Sequence, residues 1–118
     1  MIDPISIGLI LAGIAAGVAV LAFWSEIRDF FKRAWNALPI EITQNLQGVV
    51  AVAKMIDGKI TTTLKYYSYN LETQSWNESI ASKVVTTDEI PDHIKQRLQL
   101  GHEVDYTNDL AKELKLEL

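Results

Sequence analysis

The chain has 118 residues, enough for about one small domain, and a net charge of −4 with an isoelectric point near 5.1. Its eleven basic residues are scattered, which argues against nucleic-acid binding, a function that needs clustered Lys and Arg to displace counterions. Cysteine is absent, and with it disulfides, thiolate zinc sites, iron–sulfur clusters and cysteine nucleophiles.

Between Asp3 and Glu26 no side chain is ionisable, and Ile5 to Trp24 reads ISIGLILAGIAAGVAVLAFW. Such a stretch, at roughly 1.5 Å per residue, reaches about 30 Å, the thickness of a bilayer's hydrocarbon core, and predicts a transmembrane helix. A secretory signal peptide would open with Lys or Arg, whereas the first basic residue here is Arg28. A buried hairpin core of a water-soluble fold is the other rival, because Gly8, Gly13, Gly17 and the alanines make the segment less apolar than a Leu-rich span. Arg28, Lys32 and Arg33 follow the span, so the positive-inside rule predicts a bacterial inner-membrane protein with its C-terminal domain in the cytoplasm. In that orientation the sequon Asn77-Glu78-Ser79 never meets the glycosylation machinery.

On a helical wheel, Ile7, Ile10, Leu11, Ile14, Val18 and Leu21 collect on one arc suited to lipid. The remaining surface holds small residues, including Gly8, Ala12, Gly13, Ala16, Gly17 and Ala19, with a Gly13-x-x-x-Gly17 pair. Small residues let membrane helices approach closely, so this face predicts a helix–helix interface. The helix is expected to continue to Leu38-Pro39, with Phe23, Ile27, Phe30, Phe31 and Trp35 extending that interface beyond the bilayer. Trp24 and Trp35 also suit the aromatic belt of a membrane surface, and the Phe30, Phe31 and Trp35 face suits a helix lying flat on it. An aqueous pore is disfavoured, since Ser6 is the one polar residue inside the span.

Residues 39–118 then form a second unit. Asp57-Gly58 between two β-rich runs, Val49 to Ile56 and Lys59 to Tyr69, is a strong hairpin signal. A third run, Trp76 to Thr86, extends it to an antiparallel meander. Residues 41–56 are ambiguous, because Ile42, Leu46, Val49, Ala53 and Ile56 also recur at helical spacing; a strand after Gly48 is the favoured reading. Thr86 and Glu89 have capping-box spacing, and a helix from about Pro91 to Leu100 should close at Gly101. The leucine-studded end, Leu110 to Leu118, is either a terminal helix or a docking strand. This layout, with the terminal Lys115-Leu116-Glu117-Leu118, resembles small bacterial membrane-anchored proteins; the resemblance is one of layout and implies no activity.

The expected fold is therefore an α+β membrane protein: a long N-terminal transmembrane helix with an amphipathic extension (1–38), then a small antiparallel β-meander with a short helix and a tail (39–118). Catalytic chemistry is not expected. His93 and His102 lie nine residues apart and match no metal pairing, while Asp88, Glu89 and Asp92 beside His93 suit a helix start better than an acid–base pair. No nucleophile elbow or phosphate loop occurs, and no cofactor or metal site is expected. Tyr67 and Tyr69, which alternation sets on the opposite face of their strand from Tyr66, form the candidate partner or ligand patch with Trp76 near the facing end of the next strand.

The expected function is non-enzymatic: a single-pass protein that self-associates through its N-terminal helix and presents an interaction domain for assembly or anchoring. The expected partners are the lipid bilayer, further copies of the chain, and another membrane or cytoplasmic protein, with no nucleic acid. Two alternatives are a membrane-perturbing effector of a bacterial toxin or phage-defence system and an accessory subunit of a larger membrane complex.

Overall fold

The computed structural model describes residues 3, 4, 7 and 22–115. Helix α1, Ala22–Ala37, buries Phe23, Trp24, Ile27, Phe30, Phe31 and Ala34, most of them recurring every three or four residues as a one-sided stripe. Pro39 disfavours a helical conformation at Leu38, and the chain restarts as a single turn, α2, Ile40–Gln44.

Three long strands follow: β1, Leu46–Ile56; β2, Lys59–Asn70; and β3, Ser75–Val84. Asp57 and Gly58 both take positive φ, 51° and 75°, as a two-residue type I′ hairpin turn requires, and Ile56 pairs with Lys59 across it. The second turn, Leu71 to Gln74, is held by the Asn70 carboxamide oxygen, which accepts from Glu72 N at 2.9 Å and Thr73 N at 3.2 Å. In residues 41–56, the contested stretch, the helical turn ends before Asn45 and β1 begins at Leu46, three residues earlier than the expected start at Val49. Gln47 bulges there, breaking register between Leu46 and Gly48.

Helix α3, Asp92–Gln99, ends in a Schellman motif. Gly101 N donates to Leu98 O at 3.0 Å and His102 N to Arg97 O at 3.4 Å, with Gly101 at φ 82°. Its start differs from expectation. Pro91 is the N-cap without a side-chain cap, because Thr86 is taken by Glu26 and Glu89 N bonds the Thr87 hydroxyl at 3.1 Å. Strand β4, Val104–Asp105, pairs with β1, and α4, Thr107–Lys115, closes the described chain.

The sheet is antiparallel with order β3-β2-β1-β4. Its inner face presents Val49, Ala51, Ala53, Leu64, Tyr66 and Val104, all at most 1 % exposed, to α1, α3 and α4. Aromatic rings fill the layer between. Phe23 lies 5.0 Å from Trp24 and 5.9 Å from Tyr106, while Phe31 and Trp35 lie 6.3 and 6.4 Å from Tyr66.

This packing corrects the membrane reading. Among the described residues no helix is long and apolar enough to cross a membrane. The predicted transmembrane helix, the single-pass membrane fold and the inner-membrane placement with a cytoplasmic C-terminal domain are therefore not supported. What stands in their place is a small α+β fold built on a four-stranded antiparallel sheet. The physical reason is that absence of charge marks burial without saying what does the burying. A sheet removes apolar side chains from water as a bilayer does. Of the uncharged stretch, Ile7, Phe23 and Trp24 are described as buried, and they belong to the protein's own core. Helix α1 also carries Glu26, Arg28, Asp29, Lys32 and Arg33 in sixteen residues. Of the predicted helix–helix interface, Gly8, Ala12, Gly13, Ala16, Gly17 and Ala19 lie outside the described residues. Phe23, Ile27, Phe30 and Phe31 are buried in the core, with Trp35 half-buried against it.

Candidate functional site

The sheet has a second face, and no described helix covers it. Strand alternation sends Val50, Val52 and Lys54 of β1, Thr61, Thr63, Lys65, Tyr67 and Tyr69 of β2, and Trp76, Glu78, Ile80, Ser82 and Val84 of β3 to this outer side. Near the centre Val52 is buried and Val50 half-buried. Toward β3 the face opens: Trp76 is 61 % exposed, Ile80 59 % and Val84 45 %.

Tyr69 and Trp76 are direct cross-strand partners, with ring centroids 5.2 Å apart at an interplanar angle of 59°. Together with Gln47 and the exposed Leu71 they line an open hollow of about 550 Å³. Tyr67 pairs with Glu78, and the hydrogen bond to that carboxylate, which holds the phenolic proton, raises the Tyr67 pKa. Thr63 and Ser82 join hydroxyls at 3.0 Å. The structure thus brings Tyr67, Tyr69 and Trp76 onto one face at one end of the sheet, with Tyr66 on the other face. Ile80 and Val84 belong to the same surface and went unread in the sequence. Their signal is the four-residue spacing of Trp76, Ile80 and Val84, which in a strand keeps all three on one side.

Other polar groups are committed to the fold. Glu26 links α1 to the segment after β3: its carboxylate accepts from Thr86 N and Thr86 Oγ1, each at 2.8 Å, and from Thr87 N at 3.2 Å, with Lys83 Nζ at 3.5 Å. Burial works to raise its pKa, but these hydrogen bonds and the Lys83 charge outweigh it and the net shift is downward. Tyr106 and Thr62 share a short, buried hydroxyl–hydroxyl contact, and Thr62 also bonds Val52 O at 3.2 Å. Thr107 accepts from Ala51 N at 3.0 Å, tying α4 to β1.

His93 Nε2 meets Asp109 Oδ1 at 3.3 Å, an exposed contact between α3 and α4, rather than Asp88, Glu89 or Asp92. Glu89 serves the start of α1, where its backbone carbonyl accepts from Phe23 N at 3.1 Å. Among the described residues no group of three His, Asp or Glu side chains is placed to hold a metal ion.

Comparison with protein-family models, with curated proteins and with solved structures finds no match to this chain.

Proposed function

We propose that this chain works without catalysis, as an interaction domain that self-associates through the apolar side chains left open on its edge strand β3. The observation that carries the reading is the column Trp76, Ile80 and Val84, three large apolar side chains left about half exposed on one side of an edge strand. Apolar side chains gathered on a surface are a recurrent mark of protein contact, and aromatic anchors such as Trp and Tyr dominate the energy of such contacts. The apolar stripe of α1 is already spent on the protein's own sheet, so the outer face takes the role that the helix was expected to have. Two of the groups with shifted pKa are committed to the fold: Glu26 has its oxygens occupied by Thr86, Thr87 and Lys83, and the Tyr106 hydroxyl is buried against Thr62.

The test is the solution mass of the full chain across a wide concentration range, measured by light scattering or sedimentation. The mass should rise above the monomer's 13.2 kDa with concentration, and Trp76→Ala should shift the association to higher concentration. A chain that stays monomeric throughout overturns the reading.

A further inference from the structure

We infer that the second copy docks edge to edge, by pairing β3 with β3 antiparallel about a two-fold axis at Ile80, so that two four-stranded sheets become one of eight strands. The inference rests on the self-association just proposed and names its geometry.

Among the described residues β3 pairs with β2 alone, and its other edge offers unpaired backbone donors and acceptors along ten residues. Proteins usually blunt such an edge with proline, a bulge or projecting lysines. Here β3 contains no proline and its register with β2 runs unbroken from Thr61↔Val84 to Asn70↔Ser75; its single lysine, Lys83, is an inward-pointing charge of the kind that can guard an edge, but it stands at the strand's end and is paired with Glu26 at 3.5 Å. On the inner side Asn77 is exposed and Ser79 and Ala81 are half-buried, all three small or polar.

Side-chain chemistry then selects the register. When two identical antiparallel strands pair with their outer faces on the same side, residues that face one another have numbers with a constant even sum. Centring on Ile80 sets Ile80 against Ile80 of the other copy, Trp76 against Val84, and Glu78 against Ser82. Every apolar residue of the column meets another, because Trp76, Ile80 and Val84 are spaced four apart and the two-fold axis maps the set onto itself. On the inner side the same register sets Asn77 against Lys83 and Ser79 against Ala81. Charge agrees with this choice. Centring on Glu78 would oppose two carboxylates, centring on Ser82 leaves Trp76 beyond the end of the partner strand, and centring on Ser79 or Ala81 sets Glu78 against an apolar side chain. Only the Ile80 register keeps the like charges apart and the apolar column intact. In it Trp76 is enclosed between Tyr69 of its own chain and Val84 of the other.

The cysteine-free chain makes the register directly readable. Single cysteines are placed at exposed β3 positions of the full chain, and covalent dimer is followed on a non-reducing gel under mild oxidation. Directly opposed residues in an antiparallel pair have Cα atoms about 4.5–5.5 Å apart, within the window of about 4.4–6.8 Å that a disulfide tolerates. Ile80→Cys should therefore cross-link to itself. Glu78→Cys or Ser82→Cys alone should not, because the two equivalent positions are then roughly 14 Å apart along the strands. A mixture of the Glu78→Cys and Ser82→Cys chains should cross-link, at least tenfold faster than either alone. Equal cross-linking at positions 78, 80 and 82, or none at 80 in a chain whose mass still rises with concentration, overturns the edge pairing while leaving self-association in place. A chain that remains monomeric overturns both.

Discussion

The two faces of this sheet carry apolar side chains in similar number and use them in opposite ways. On the inner face Tyr66, Leu64, Val49 and Ala51 are sealed beneath α1, α3 and α4. On the outer face Val52 and Val50 are screened near the centre while Trp76, Ile80 and Val84 remain open to solvent at one edge. The inner face holds the fold together; the outer face is left with free energy to release only when something covers it. The same residue type should therefore answer different experiments according to the side it occupies.

The largest expected effect breaks the inner side. Phe31 is fully buried, with Tyr66 at 6.3 Å across the layer, and Phe31→Ala removes both the transfer energy of the ring and the contacts around it. Denaturant titration should show a loss of about 3–5 kcal/mol, a large share of what a small domain has. Trp76→Ala, a larger deletion by volume, should lower monomer stability by about 1 kcal/mol or less, because its ring is already 61 % exposed. If the two losses are equal, the distinction between a closed and an open face is wrong.

What could be read in advance follows the range of the interactions. The Asp57-Gly58 turn and the Gly101 stop are set by residues a few positions apart, and composition marks both. So does the alternation that separates Tyr66 from Tyr67 and Tyr69. The N-terminal reading failed because an uncharged stretch reports that water is excluded and nothing about the excluding partner. For Phe23 and Trp24, within the described residues, that partner is Tyr106, about eighty positions downstream. The Thr86–Glu89 spacing misled in the same way: its local capping signal lost to Glu26, sixty residues from Thr86. On the outer face, Tyr67, Tyr69 and Trp76 stood out as aromatic residues. Ile80 and Val84 did not, since their four-residue spacing with Trp76 sets all three on one exposed side only once the segment is known to be an edge strand.

A smaller effect tests how α1 is fastened over the inner face. Glu26→Gln retains the shape but loses the charge that faces Lys83 and weakens acceptance from Thr86 and Thr87. The cost should be about 1–2 kcal/mol at neutral pH, typical of hydrogen bonds to a charged group. The pH dependence has a definite sign. The folded-state pKa of Glu26 is lowered from its ordinary value of about 4.5, so the stabilisation is fully present above that value and is lost as pH falls through the lower, folded-state value. Wild type should lose more stability than Glu26→Gln on acidification below about pH 4.5, and parallel curves for the two proteins would show that the carboxylate does not fasten the helix.

The smallest effect has the opposite direction and compares two tyrosines within the closed face. Tyr66 and Tyr106 are both fully buried, and burial raises the pKa of both phenols, so each stays a neutral hydroxyl across the physiological range. Tyr106 has Thr62 as its partner, whereas the Tyr66 hydroxyl is buried with no hydrogen-bond partner among the described residues. An unsatisfied buried hydroxyl costs about 1–3 kcal/mol relative to its hydrated state, so removing it relieves a penalty, while removing a satisfied one forfeits a bond. Tyr66→Phe should leave stability unchanged or raise it by up to about 1 kcal/mol, and Tyr106→Phe should lower it by about 1 kcal/mol. Thermal or denaturant melts of the pair decide the matter through the sign of the difference. A loss at Tyr66 as large as at Tyr106 would mean that its hydroxyl is satisfied in solution, by a water seated between β2 and α1, and that the closed face is less dry than its packing implies.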